Sequence, residues 1–373
     1  MAGLADILAA GMMTPVGLSA ETTAAAVRAG ISRIRESDIQ DKRFRSLRAG
    51  FLAEELLPPL TSDPRLPRTG LTARHRRMLR LATRALLQVI PDGEPAPLFL
   101  ALPEPMRPTE APIGDTFLAH LEVQLGREFD LRQSQVFQQG RAGGMVALAS
   151  ACQALRGGRI STALVGGVDT YLDLRRLTGL DQEERLLVDR ATEGFLPGEG
   201  AAFLLLGAPG EARRQQRAPL AHILGVGTGT EEGHRYSDLP YRGDGLSQAF
   251  RQLFASDASS TPRIRHVYGS FNGEHFWAKE WGVSYVRHGR RFAEPLRVDH
   301  PVEFMGDTGA ALGPLMSGLA AMGLAKGYHQ GPILVWSSSD REARGAVLLG
   351  SRQEPGPTRA AILARSPHPT EHA

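Results

Sequence analysis

GGMVALASACQALRGGRISTALVGGVD (143–169) decides the fold: a helix of small side chains runs directly into a β stretch that continues as STALVGGVDTY (161–171). The same order returns later, where GDTGAALGPLMSGLAAMGLAKG (306–327) is followed by PILVWSSSD (332–340). Each half then closes on a further strand, GEGAAFLLLG (198–207) and RGAVLLGS (344–351), and PGEARRQQRAP (209–219) links the two. Small residues let a helix approach a neighbouring helix or sheet closely, and short unbroken apolar runs suit strands buried on both faces. A helix, strand, strand unit used twice predicts an α/β protein of layered sheets with helices between and around them, its halves at 1–208 and 219–351. On pattern alone, two doubly wound domains remain open.

Outward from these units the chain is less regular. EPAPLFLALPEPMRPTEAP (94–112) and LLPPLTSDPRLPRTG (56–70) read as Pro-rich surface loops around short elements, and residues 352–373 as a flexible tail. A basic stretch, Arg74, Arg76, Arg77, Arg80 and Arg84, alternates with Met78, Leu79, Leu81, Leu86 and Leu87 at helical spacing, which predicts a solvated helix face.

Composition narrows the class. Hydrophobic residues are 42% and charged residues 22%, as in soluble globular proteins. No apolar run approaches the roughly 20 residues that span a bilayer, and the apolar amino terminus lacks the basic region of a signal peptide. A single cysteine, Cys152, excludes an internal disulfide or a multi-cysteine metal site, so a cytoplasmic location is expected. The net charge of +3 comes from arginines interspersed with acids, without a basic run, so nucleic acid is not an expected partner. The histidines are scattered without HExxH or comparable spacing, and neither metal nor cofactor is expected.

Four segments in order carry a family likeness: GMMTPVGLSAETTAAAVRAGISRI (11–34), the 143–169 stretch, ATEGFLPGEGAAFLLL (191–206) with Glu199, and MGDTGAALGPLMSGLAA (305–321). Together they resemble the β-ketoacyl-acyl-carrier-protein synthases of the thiolase superfamily. The likeness spans roughly 10–350 and is weakest over 35–130. It implies a thiolase fold, two βαβαβαββ halves forming five layers, α-β-α-β-α. It also implies a two-fold dimer with a sheet continued across the interface.

The residues that do the family's chemistry are replaced. Condensation uses a thiolate at a helix N-terminus, where the helix dipole favours negative charge, and two imidazoles that stabilise developing enolate charge. The family cysteine stands three residues before the glycine that opens the small-residue helix; matched to Gly144, that position is Arg141. The first histidine segment corresponds to VYGSFNGEHFWAKEWG (267–282), giving Asn272, with Glu280 at the later acidic position and His275 three residues out of register. The second histidine becomes Asp307, and SSSDRE (337–342) replaces the glycine-rich gating loop. Cys152 lies about two helical turns beyond the nucleophile position and reads as structural. A cation at a helix N-terminus needs compensation, so Arg141 is expected to pair with Asp307, their charged groups within about 6 Å.

These replacements imply a non-condensing protein: a dimeric scaffold, adaptor or chaperone-like partner, either a homodimer or a heterodimer with another synthase-like chain. Chain-length factors are one precedent. FNGEHFWAKEWG (271–282) resembles thiolase-like proteins associated with type VI secretion effector loading, where a secreted effector or spike protein would be the partner. Alternatives are a repurposed enzyme using Glu274, His275 and Asp307 as acid/base groups, with Arg141 holding a carboxylate or phosphate, or a binder of acyl chains or acyl carrier protein. Glu199 completes the expected pocket set of Arg141, Asn272, Glu274 and Asp307.

Overall fold

The alternation of helix and strand patterns is realised in full. The computed structural model describes residues 3–67, 69–91, 93–106, 113–114, 116–188, 191–255 and 262–351; the expected tail at 352–373 lies outside them. The amino-terminal half runs β1 (Ala5–Met13), α1 (Ala20–Arg28), a hairpin of β2 (Arg35–Gln40) and β3 (Ser46–Ala49), α2 (Ala73–Leu86), β4 (Leu98–Ala101), α3 (Thr116–Leu125) and β5 (Gln135–Phe137). It continues with α4 (Gly140–Arg156), β6 (Thr162–Thr170), α5 (Leu174–Gln182), β7 (Glu199–Gly207) and a short α6 (Glu211–Arg214). The second half comprises β8 (Ala221–Thr230), α7 (Asp244–Phe254), β9 (Ile264–Gly269), α8 (His275–Arg287), β10 (Phe292–Asp299), a short α9 (Val302–Met305), α10 (Leu312–Ala325), β11 (Ile333–Ser338) and β12 (Ala343–Gly350).

Strand order shows the duplication. The first half is ordered β5-β4-β6-β7-β1 and the second β10-β9-β11-β12-β8, so in both the strands stand third, second, fourth, fifth, first. In each half the fifth strand is antiparallel to both neighbours, while the remaining pairings are parallel. The halves join where Ala5–Ile7 of β1 pairs antiparallel with Ala221–Ile223 of β8.

Period-two alternation sends side chains from each strand into two separate layers. On β7, Ala202, Leu204 and Leu206 face a central core, while Ala201, Phe203 and Leu205 face an outer one with α2 and α3. On β11, Ile333 and Val335 face the same central core, while Leu334 and Trp336 face an outer core with α7 and α8. The central core is filled by α4 and α10, which gives the five layers expected. Small residues permit this sandwich: a Cβ on Gly144 of α4 would stand 2.2 Å from Pro314 Cδ of α10. Among the described residues, no helix is long and apolar enough to cross a membrane.

One sequence expectation fails here. The basic face of α2 is not simply solvated. Arg74 is buried and donates to Asp169 Oδ1 at 2.7 Å, and Arg77 grips Glu199 with two bonds of 2.6 and 2.7 Å. Arg80 pairs with Glu54, and only Arg84 of the five is exposed. Periodicity reveals which face is apolar, but not that acids on distant strands await the guanidinium groups.

Candidate functional site

Arg141 is the second residue of α4, entering the central core between the two halves with only 3% of its surface exposed. Asp307 reaches the same point from the turn ahead of α10, and Asn272 from the loop between β9 and α8. Arg141 Nη1 donates to Asp307 Oδ2 at 3.0 Å and Nη2 to Asp340 Oδ1 at 2.7 Å. The guanidinium also lies 4.2 Å from the Trp277 ring centroid, a cation–π contact. Two carboxylates thus offset the unfavourable placement of a cation at a helix N-terminus. The expected Arg141–Asp307 contact forms, and Asp340 shares it.

The pair belongs to a larger network. Asn272 Nδ2 donates to Asp307 at 3.1 Å and to Glu274 at 3.0 Å. Glu274 also accepts from Trp277 Nε1 at 3.1 Å and from two nitrogens of Arg185 at 2.8 and 3.0 Å. Arg185 in turn donates to both oxygens of Asp340, at 2.7 and 3.0 Å, and Arg235 approaches Glu274 at 3.1 Å. The Gly309 N–H donates to the second Asp307 oxygen at 2.9 Å. Arg141, Arg185, Asp307 and Glu274 are buried, while Asp340 and Arg235 keep 16% and 25% of their side chains exposed at the rim of this polar core.

Burial and partners together set the charges. Burial works to raise Asp340, yet Arg185 and Arg141 prevail and hold its carboxyl well below the usual range. Glu274 is lowered in the same way, burial being outweighed by Arg185. Burial pushes Asp307 up, against Arg141, the Gly309 N–H and Asn272. Glu104, which accepts from the Asp340 N–H at 2.9 Å, is pushed up to about 7 by burial and by the neighbouring Asp340 charge.

The other expected residues divide. Glu199 is fully buried; besides Arg77 it accepts from the Leu52 N–H at 2.6 Å and the Thr170 hydroxyl at 2.8 Å, so it anchors α2 to the sheet. Glu280 pairs with Arg344, both side chains wholly buried. Burial pushes the Cys152 thiol, in the interior of α4, up to about 12, which keeps it protonated and unreactive. His275 is not brought to the network. As the first residue of α8 its side chain is 77% exposed; its backbone N–H donates to Glu193 at 2.9 Å and its ring Nδ1 stands 3.1 Å from the same carboxylate. A repurposed acid/base set that includes His275 therefore has no common pocket, and Glu274 and Asp307 are each already committed to a guanidinium.

Sequence reasoning missed Arg185, Trp277, Glu104 and Asp340 as members of the network. Asp340 lay within the SSSDRE replacement of the gating loop, which was its signal. Arg185 sits among the charged residues of LDQEERLLVDR (180–190), which read like any surface segment.

Comparison with known proteins agrees with this architecture. Residues 136–211, which include Arg141, α4, β6 and β7, match the family model "Beta-ketoacyl synthase, N-terminal domain". The pikromycin polyketide synthase component PikAII of Streptomyces venezuelae is 30% identical over 189 residues, covering 48% of this chain and 5% of the synthase. This chain thus spans a small fraction of that relative's length. Among solved structures, a type II polyketide synthase acyl-carrier protein in complex with its ketosynthase matches with a TM-score of 0.73 at 15% identity, covering 94% of this chain and 100% of the other. The ishigamide ketosynthase/chain length factor matches with a TM-score of 0.71 at 15% identity, covering 93% and 99%. Strand order, family match and structural neighbours converge: the chain has a ketosynthase-like fold, and its residues 136–211 match the β-ketoacyl synthase N-terminal domain.

Proposed function

We propose that this chain is a non-condensing ketosynthase-like protein, a dimeric scaffold whose inherited reaction centre has become a structural ion-pair core. The observation that carries the reading is the buried guanidinium of Arg141, at the position matched to the nucleophile and held by Asp307 and Asp340. An arginine cannot form a thioester, and Asn272 and Asp307 cannot supply imidazole chemistry. Removing either partner of such a buried pair is costly, which fits a role in holding the halves together rather than in turnover.

Dimerisation is supported by the edge of the sheet. β5 is an outer strand of only Gln135–Phe137, with β4 as its one strand neighbour among the described residues. An edge strand presents unpaired backbone N–H and C=O groups that a second chain can extend, and its brevity leaves only a few of them to pair. The ketosynthase/chain length factor among the neighbours favours a particular second reading, that the partner is an active synthase-like chain. The adaptor form, loading of a type VI secretion effector, rests on FNGEHFWAKEWG (271–282); there Asn272, Glu274 and Trp277 are turned into the core, and His275, Ala278 and Lys279 form the exposed face that cargo could reach.

The test combines assembly and chemistry. Light scattering should give a dimer, either alone or with a co-expressed synthase-like partner, and a monomer in both cases would overturn the scaffold reading. Incubation with malonyl- and acyl-loaded carrier protein should give neither decarboxylation nor a covalent acyl-protein. Turnover abolished by Glu274→Gln or Asp307→Asn would show that chemistry survives. Co-purification with a co-expressed effector or spike protein, in place of a synthase, would select the adaptor form.

A further inference from the structure

A second cluster lies on the far side of the second half, well away from Arg141 along the strand order. His266 projects from β9 and Asp299 from the end of β10; His329 comes from the turn between α10 and β11. In sequence they are separated by 33 and 30 positions, a spacing that resembles no ligand motif. In the fold their ligand atoms lie within 4.8 Å of one another. His266 Nε2 stands 2.9 Å from Asp299 Oδ2, and the two imidazole rings meet edge to face at 4.2 Å between centroids.

The arrangement is built rather than incidental. His329 is folded back against α10, where Gly323 leaves room for it: a Cβ there would stand 2.0 Å from the His329 ring. The turn is held from the other side by Arg28 of α1, whose guanidinium sits 4.9 Å from the Tyr328 ring centroid. Tyr268, next inward on the same face of β9, places its hydroxyl 3.0 Å from His329 Nε2. Asp299 and His329 open onto a cavity of about 260 Å³ between β10, α1 and the end of α10. Arg297 also holds Asp299, at 2.9–3.0 Å, but its side chain is 61% exposed and can swing to solvent.

We propose that His266, Asp299 and His329 form a site for one divalent first-row transition-metal ion, zinc being the simplest case, with open coordination toward the cavity. Two imidazoles and a carboxylate are a donor set that zinc takes at about 2.0–2.2 Å, with a fourth position left for water or another ligand. Donors bound at that length lie about 3–3.5 Å apart in a tetrahedron, so the present spacing closes onto an ion by side-chain movement of about 1 Å.

The probe is zinc itself, added to the full chain after dialysis against a chelator. Calorimetry and elemental analysis after gel filtration should find one zinc per chain, and zinc should raise the melting temperature of the unaltered protein. His329→Ala and Asp299→Asn should each weaken binding at least tenfold and abolish the thermal shift, while His300→Ala, on the cavity rim, should change binding less than twofold. Absence of stoichiometric binding overturns the proposal, as does binding that survives both ligand substitutions or is lost equally in His300→Ala. If Asp299→Asn fails to fold, His329→Ala, on a half-buried turn, carries the same decision.

Discussion

The Arg141 core and the His266 cluster place similar chemical groups in opposite circumstances. In the first, carboxylates and guanidinium groups satisfy one another in a buried space with Asp307 only 1% exposed. In the second, two imidazoles and a carboxylate converge beside a cavity, and the groups that engage them include Arg297, whose side chain is 61% exposed. The lesson is that reactive residue types do not by themselves mark a working site. Saturation marks a structural role, whereas convergence with access marks a capacity to bind.

The largest effect that separates the two regions should come from Arg141→Ala. It strands Asp307 and Asp340 in the core and should cost about 3–5 kcal/mol in urea unfolding. A loss under about 1 kcal/mol would mean that the network contributes little to holding the halves together. Arg77→Ala should cost somewhat less, about 2–4 kcal/mol, because Glu199 keeps its bonds to Leu52 and Thr170 after losing the bidentate arginine.

A pH series sharpens the comparison further. Glu104 stands at about 7 in the folded protein against an ordinary 4.5, so the native state holds this proton more tightly than the unfolded chain. Its stabilising contribution is full below about pH 4.5 and is lost as pH rises through about 7. The unfolding free energy should therefore fall between about pH 4.5 and 7 by an amount on the order of 1–3 kcal/mol, and Glu104→Gln should flatten that decline. An unchanged slope in the variant would assign the decline to other groups.

At the open cluster, His329→Ala without metal should cost less than about 1 kcal/mol, since the imidazole is only half-buried. A cost like that of Arg141→Ala would make it a structural post. Smallest of all, His275→Ala should stay within about 0.5 kcal/mol by thermal denaturation, because it removes only an exposed pair with Glu193.

The duplicated halves were legible because small-residue helices and two-sided apolar strands write themselves locally, as in 143–169 and 306–327. Arg141, Asn272 and Asp307 could be singled out only because the family likeness supplied a register. Their partners were harder to see. Arg185 and Asp340 are 155 positions apart, and nothing in either neighbourhood announces the other. The same holds for His266 and His329: ligand spacing along a chain detects sites carried on one helix or loop, and this cluster is assembled by three separate elements. Arg74 and Arg77 show the converse error, since a charge on a helix face reads as solvated until the sheet opposite supplies an acid.

The sharing of Asp340 between Arg141 and Arg185 also bears on ancestry. Under the proposed reading, descent from a condensing enzyme is a step that cannot be retraced one change at a time. Arg141→Cys would return a thiol but leave Asp307 and Asp340 facing it with one cation fewer, and both imidazoles would still be missing. Replacing Asp307 by histidine first would set a second basic group against Arg141. Each reversal is penalised by what the others have become, so the mutual dependence of these side chains acts as a ratchet on the lineage.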